Sequence, residues 1–111
     1  MRSFSLIEHA SSPGCRRILI EGELDLAVAD QLRRALGRAE RSRRVVVDLE
    51  HCDFIDLAAV ALLLRAGREG EGPARNPRVT IHGARGQPLR LLTVLGLADA
   101  LVLREPQGSL P

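Results

Sequence analysis

Lysine, tyrosine and tryptophan are absent from this chain of 111 residues, and phenylalanine occurs only as Phe4 and Phe54. A core with so few rings has to be assembled from Leu, Val, Ile and Ala. Without lysine, all sixteen basic residues are arginine, and the lysine that a phosphate-cradling Walker loop requires is missing. The scarcity of rings also counts against a single-stranded nucleic-acid surface, which stacks bases on aromatic side chains. The formal charge is only +2. The densest basic group, Arg33, Arg34, Arg38, Arg41, Arg43 and Arg44, reads as a solvated helix face and loop, so no nucleic-acid partner is expected.

Cysteine is scarce too. Cys15 and Cys52 do not make a disulfide framework. The longest uninterrupted apolar run, Leu57 to Leu64, is far too short to cross a bilayer. The first residues show no charged segment followed by an apolar one. A reduced, cytoplasmic protein with no membrane partner is the expectation. What is present is ordinary for a globular protein, 45% hydrophobic and 27% charged. This length and composition predict a single domain over 1–111, with a loose tail over 105–111.

The pattern predicts an α/β domain. Phe4-Ser5-Leu6-Ile7 alternates like a short edge strand, and Ser11-Ser12-Pro13-Gly14 is a turn signal. Arg17 to Leu24 reads as a second strand, pairing with the first as a hairpin. Asp25 is placed to cap a helix that opens at Leu26 and runs to about Glu40, with Val28, Leu32, Ala35, Leu36 and Ala39 as its buried stripe. Val45 to Leu49 is a strand that a helical crossover makes parallel to the second. After a polar passage, Glu50 to Asp53, a helix opens at Leu57 and runs to about Ala66. Val60, Leu63 and Leu64 can face the sheet, and Leu57, Ala58, Ala61 and Arg65 turn outward. Gly67 to Pro77 reads as a loop, and Arg78 to His82 as a strand. A helix begins at Gln87-Pro88, with Leu89, Leu91, Leu92 and Leu95 on its core side and Gly96 as its stop. Ala100 to Leu103 is a last short strand or helical turn. The sheet is therefore expected to be mixed.

No arrangement of reactive residues points to catalysis. Asp25, Asp48, Asp53 and Asp56 fit capping and loop roles, and no second acid or histidine completes a pair. His51, Cys52 and Asp53 are adjacent, so they cannot easily converge on one metal ion. Gly83-Ala84-Arg85-Gly86 reads as a strand-to-helix turn and matches no Gly-rich phosphate fingerprint. No metal, no cofactor and no enzymatic activity are expected.

Gly22-Glu23-Leu24-Asp25, Val46-Val47-Asp48-Leu49, Phe54-Ile55-Asp56 and Leu95-Gly96-Leu97 occur in an order and spacing that resemble the STAS domain of bacterial anti-sigma factor antagonists. The resemblance spans about residues 4 to 103. It implies a STAS-like mixed β-sheet with helices packed mainly on one face. It also implies partner switching: such a domain binds an anti-sigma factor, usually a serine kinase. That kinase can phosphorylate a Ser or Thr directly after the aspartate that matches Asp56. Here the family's Asp-Ser-Ser/Thr-Gly is replaced by Asp56-Leu57-Ala58-Ala59. The motif position has no hydroxyl, so no phosphorylation is expected at Leu57. Asp25, Asp56, Leu57, Ala58 and Ala61 are then the expected partner-binding residues. The same loss fits a scaffold subunit, a small-molecule-sensing module or a self-associating homodimer.

Overall fold

The computed structural model describes residues 4–39, 42–68, 79–97 and 102–104. Its elements are β1 (Phe4–Ser12), β2 (Cys15–Leu24), α1 (Ala29–Arg38), β3 (Arg44–Ile55), α2 (Leu57–Arg68), β4 (Val79–His82), α3 (Gly86–Val94) and β5 (Val102–Arg104). The five strands form one sheet in the order β1-β2-β3-β4-β5. β1 and β2 are the expected antiparallel hairpin. β2–β3, β3–β4 and β4–β5 are all parallel. Each parallel step moves the same way across the sheet, so right-handed crossovers put all three helices on one face. The mixed sheet with helices on one side is thus the architecture, and the last element is a strand.

Alternation explains how the core forms. β2 turns Ile18, Ile20 and Leu24 toward the helices, and β3 turns Val45, Val47 and Leu49. Leu32, Ala35 and Leu36 from α1, Val60 and Leu63 from α2, and Leu92 from α3 close over them. Burying one such Leu, Ile or Val fully is worth about 1.5–3 kcal/mol. Among the described residues, no helix is long and apolar enough to cross a membrane.

Several local expectations need correction. Glu50 to Asp53 is strand, because β3 continues to Ile55. Asp48 therefore lies within β3; its carboxylate pairs with Arg17 at 3.0 Å and accepts the Glu50 N–H at 2.9 Å. α1 opens at Ala29, so Leu26 to Val28 form a turn ahead of it. On α3 the buried positions are Pro88 and Leu92, with Leu91 packed against the core, whereas Leu89 and Leu95 are 39% and 43% exposed. The core stripe is spaced i, i+3, i+4 from Pro88, which leaves Leu89 to its side, while Leu95 is the C-cap residue beyond the end of the helix. Of the loop expected from Gly67 to Pro77, the first two residues belong to α2, and the rest lies outside the described residues. The tail expected over 105–111 also lies outside them.

Two glycines fix how α3 is held. Gly96 takes φ +70° and ends the helix, with Leu97 N–H donating to Leu92 O and Gly96 N–H to Thr93 O, the Schellman arrangement. Gly83, at φ +72°, turns the chain from β4 into α3 against β3. A Cβ there would stand 3.0 Å from the Cβ of Glu50, so a side chain would meet both strain and a clash.

Candidate functional site

The ends of β2 and β3 and the starts of α1 and α2 meet at one tip of the domain. The Asp56 N–H donates to Leu24 O at 3.2 Å, which ties the two strand ends together. Asp56 caps α2: its Oδ1 accepts the Ala59 N–H at 3.0 Å, and its carbonyl accepts the Val60 N–H at 3.1 Å. Asp25 does not cap a helix. Its Oδ1 accepts the Ala27 N–H at 3.0 Å and its carbonyl the Val28 N–H at 3.1 Å, so it folds the turn that leads into α1. Both carboxylates are thereby engaged by backbone donors.

Leu57 follows Asp56 as the first residue of α2, and it is 63% exposed. Ala58 is half-buried and Ala61 exposed. The five sequence-expected residues thus fall at the tip or along the outer side of α2. Leu26, 73% exposed in the turn after Asp25, belongs with them and was missed. The sequence pattern counted it as the opening of a helix, although its large apolar side chain directly after a turn-forming aspartate was the available signal.

From the tip an open groove of about 420 Å³ runs between α1 and α2. It is lined by Leu26, Ala29, Asp30 and Arg33 on one side and Ala58, Ala61, Leu62 and Arg65 on the other. Asp30 pairs with both Arg33 and Arg34, the latter at 3.0 Å. The Arg33 hydrogen bond, ahead of charge attraction, holds the Asp30 carboxyl below its usual range.

Gln87 is a second residue that sequence reasoning missed. Its side-chain amide lies against the last residue of β3. Arg85 reaches the same strand, donating from Nε to Glu50 O at 3.0 Å.

The other candidates are dispersed. His51 and Asp53 are exposed and Cys52 is buried, because successive strand residues point to opposite faces. Cys52 is part of the core, and burial pushes its thiol up. Among the described residues there is no group of three His, Cys, Asp or Glu that could hold a metal ion. Of the arginine group, Arg33 and Arg34 face Asp30, and Arg38 faces Glu8.

Comparison with known proteins agrees with this geometry. A family profile described as "Mlab, STAS domain" matches residues 7–105. No curated protein matches the chain. Among solved structures, the anti-sigma factor antagonist SpoIIAA in its unphosphorylated form superposes with a TM-score of 0.79 at 19% identity, covering 95% of this chain and 90% of that one. An anti-sigma factor antagonist from Mycobacterium paratuberculosis gives 0.78 at 22% identity, covering 96% and 90%. The fold also matches part of the murine Solute Carrier 26 family member A9 anion transporter, with a TM-score of 0.66 at 10% identity, covering 97% of this chain and 21% of the transporter.

Proposed function

The chain belongs to the STAS domain family, and on that premise we propose that it is a non-enzymatic, cytoplasmic protein-binding regulator of the anti-sigma factor antagonist kind. Its partner in this reading is an anti-sigma factor or related serine kinase, and the contact is made by the tip at Asp25, Asp56, Leu57, Ala58 and Ala61. The observation that carries the reading is Leu57. It is an exposed hydrocarbon side chain at the position where the family's switch hydroxyl would stand, on a helix start capped by Asp56. A phosphate at such a contact would add repulsion and a desolvation cost, and Leu57 cannot receive one. The proposed antagonist therefore binds without being turned off at this position. The engagement of Asp25 and Asp56 with backbone donors supports binding over acid–base chemistry.

The test is co-purification of the chain with a candidate anti-sigma kinase, followed by titration. Leu57→Asp should weaken that complex about tenfold or more while leaving the folded state intact, since Leu57 is mostly exposed. A complex of undiminished affinity would refute the tip as the contact.

A second reading, a scaffold or ligand-sensing subunit of a larger assembly, is favoured by one observation. The same fold makes up about a fifth of an anion transporter chain. Native mass spectrometry separates the two: a retained small molecule favours sensing, and a discrete homodimer favours self-association.

A further inference from the structure

The groove between α1 and α2 has a direction. On one wall Leu26, Ala29, Asp30 and Arg33 stand at i, i+3, i+4 and i+7. On the other, Ala58, Ala61, Leu62 and Arg65 repeat that spacing. Ala29, Asp30 and Arg33 lie on one stripe of α1 with Leu26 in the turn just ahead of it, and the second set covers one stripe of α2 over two helical turns. Both helices start at the tip and return along parallel crossovers, so both stripes begin apolar there and both end in arginine. Alanine at three of the facing positions keeps the trough open. The far end carries surplus positive charge: Arg33 and Arg34 share the single carboxylate of Asp30, and Arg65 has no carboxylate partner among the described residues.

We infer that this trough receives a short amphipathic helix of a protein partner, its apolar ridge on the alanines and an acidic side chain between Arg33 and Arg65. The inference rests on the protein-binding function proposed above and adds the chemistry and direction of what binds. A two-turn trough of small residues between two helices is the shape that admits a third helix by its i, i+3, i+4, i+7 face. Its open side would leave an acyl chain half in water. A second copy of this chain is a poor occupant: α3 has no acidic residue, and the acid on the described part of α1 is already paired. Charge complementarity therefore selects an acidic helix from elsewhere.

The experiment is selection of helix-forming peptides from a displayed library, with one face randomised, on the full chain. Enriched sequences should carry apolar residues at i, i+3 and i+4 and Asp or Glu at i+7. Their binding should weaken with added salt and fall about tenfold with Arg33→Glu/Arg65→Glu. Selection on that double variant should exchange the acid for a base. All the altered side chains are exposed, and circular dichroism checks that the variants fold. No enrichment, enrichment without the acid, or binding indifferent to Ala61→Arg would overturn the inference. So would a homodimer that Ala61→Arg dissolves, or a lipid retained by the wild-type chain. If Leu57→Asp breaks the kinase complex while Arg33→Glu/Arg65→Glu leaves it intact, the proposed function stands and this inference falls.

Discussion

Gln87 completes the hydrogen bonding of Ile55 as a neighbouring strand would. Its Oε1 accepts the Ile55 N–H at 2.9 Å, and its Nε2 donates to the Ile55 carbonyl at 2.9 Å. The need for it follows from strand lengths. β4 pairs with β3 only from Val45 to Asp48, so the rest of β3 has no ladder on that side. Buried backbone groups require partners, and the start of α3 supplies them. The residue so held comes immediately before Asp56 and the tip.

Gln87→Met keeps the approximate volume and removes both partners. It should destabilise the domain by about 2 kcal/mol, from two hydrogen bonds at roughly 1 kcal/mol each. Urea unfolding measures the loss. Amide exchange should accelerate at Ile55 more than at Val47, which keeps its ladder on both sides.

Asp56 stabilises α2 through the Ala59 N–H. Asp56→Ala should cost about 1 kcal/mol in the same titration, and Asp56→Asn should recover most of it, because asparagine caps nearly as well. Equal losses in the two variants would show that the charge, rather than the cap, is what matters.

Glu8 joins the hairpin to α1. Its carboxylate accepts from Arg16 at 3.2 Å and from Arg38 Nε at 2.9 Å. The hydrogen bond from Arg38, offset in part by burial, holds its carboxyl below the usual range. A carboxyl whose value is lower in the folded state binds its proton more readily when unfolded. Its contribution is therefore complete above about pH 4.3 and is lost as the pH falls through the lower, folded value. The wild-type chain should lose unfolding free energy more steeply below about pH 4.3 than Glu8→Gln, with the two converging in acid. Added salt should narrow their difference at neutral pH, because Arg38 is more than half exposed.

Most of the scaffold was legible in the residues themselves. The alternation of Ile18, Ile20 and Leu24, the unbroken run Val45-Val46-Val47, and the helical stripe through Leu32, Ala35 and Leu36 each specify an element without tertiary help. The second half of β3 was not legible for a definite reason. Its buried residues, Leu49, Cys52 and Ile55, recur every third position, because the pairing with β2 shifts register twice on the way. A period of three matches neither strand nor helix, so the segment read as loop. Asp25 was expected to cap a helix, but the helix starts too late for its side chain to reach, and it folds the preceding turn instead. Asp56, Leu57, Ala58 and Ala61 could be placed by the sequence alone because they follow a strand and open an apolar helix. Leu26, Gln87 and the groove could not, since each depends on what the fold brings opposite.

The two register shifts also make the tip a matter of counting. Cys15 pairs with Arg44, an offset of 29 residues, whereas Leu24 pairs with Ile55, an offset of 31. Two extra residues are thus taken up by β3 in reaching the same level as β2. Each extra residue leaves two successive exposed positions, Glu50-His51 and Asp53-Phe54, so that Leu49, Cys52 and Ile55 all keep the core face. Removing one of either exposed pair would restore plain alternation and leave Cys52 and Ile55 facing the core. The same change of length made in the regular half of β3, between Val45 and Leu49, would instead turn every later side chain over, so the bulges are where this strand tolerates a change in number.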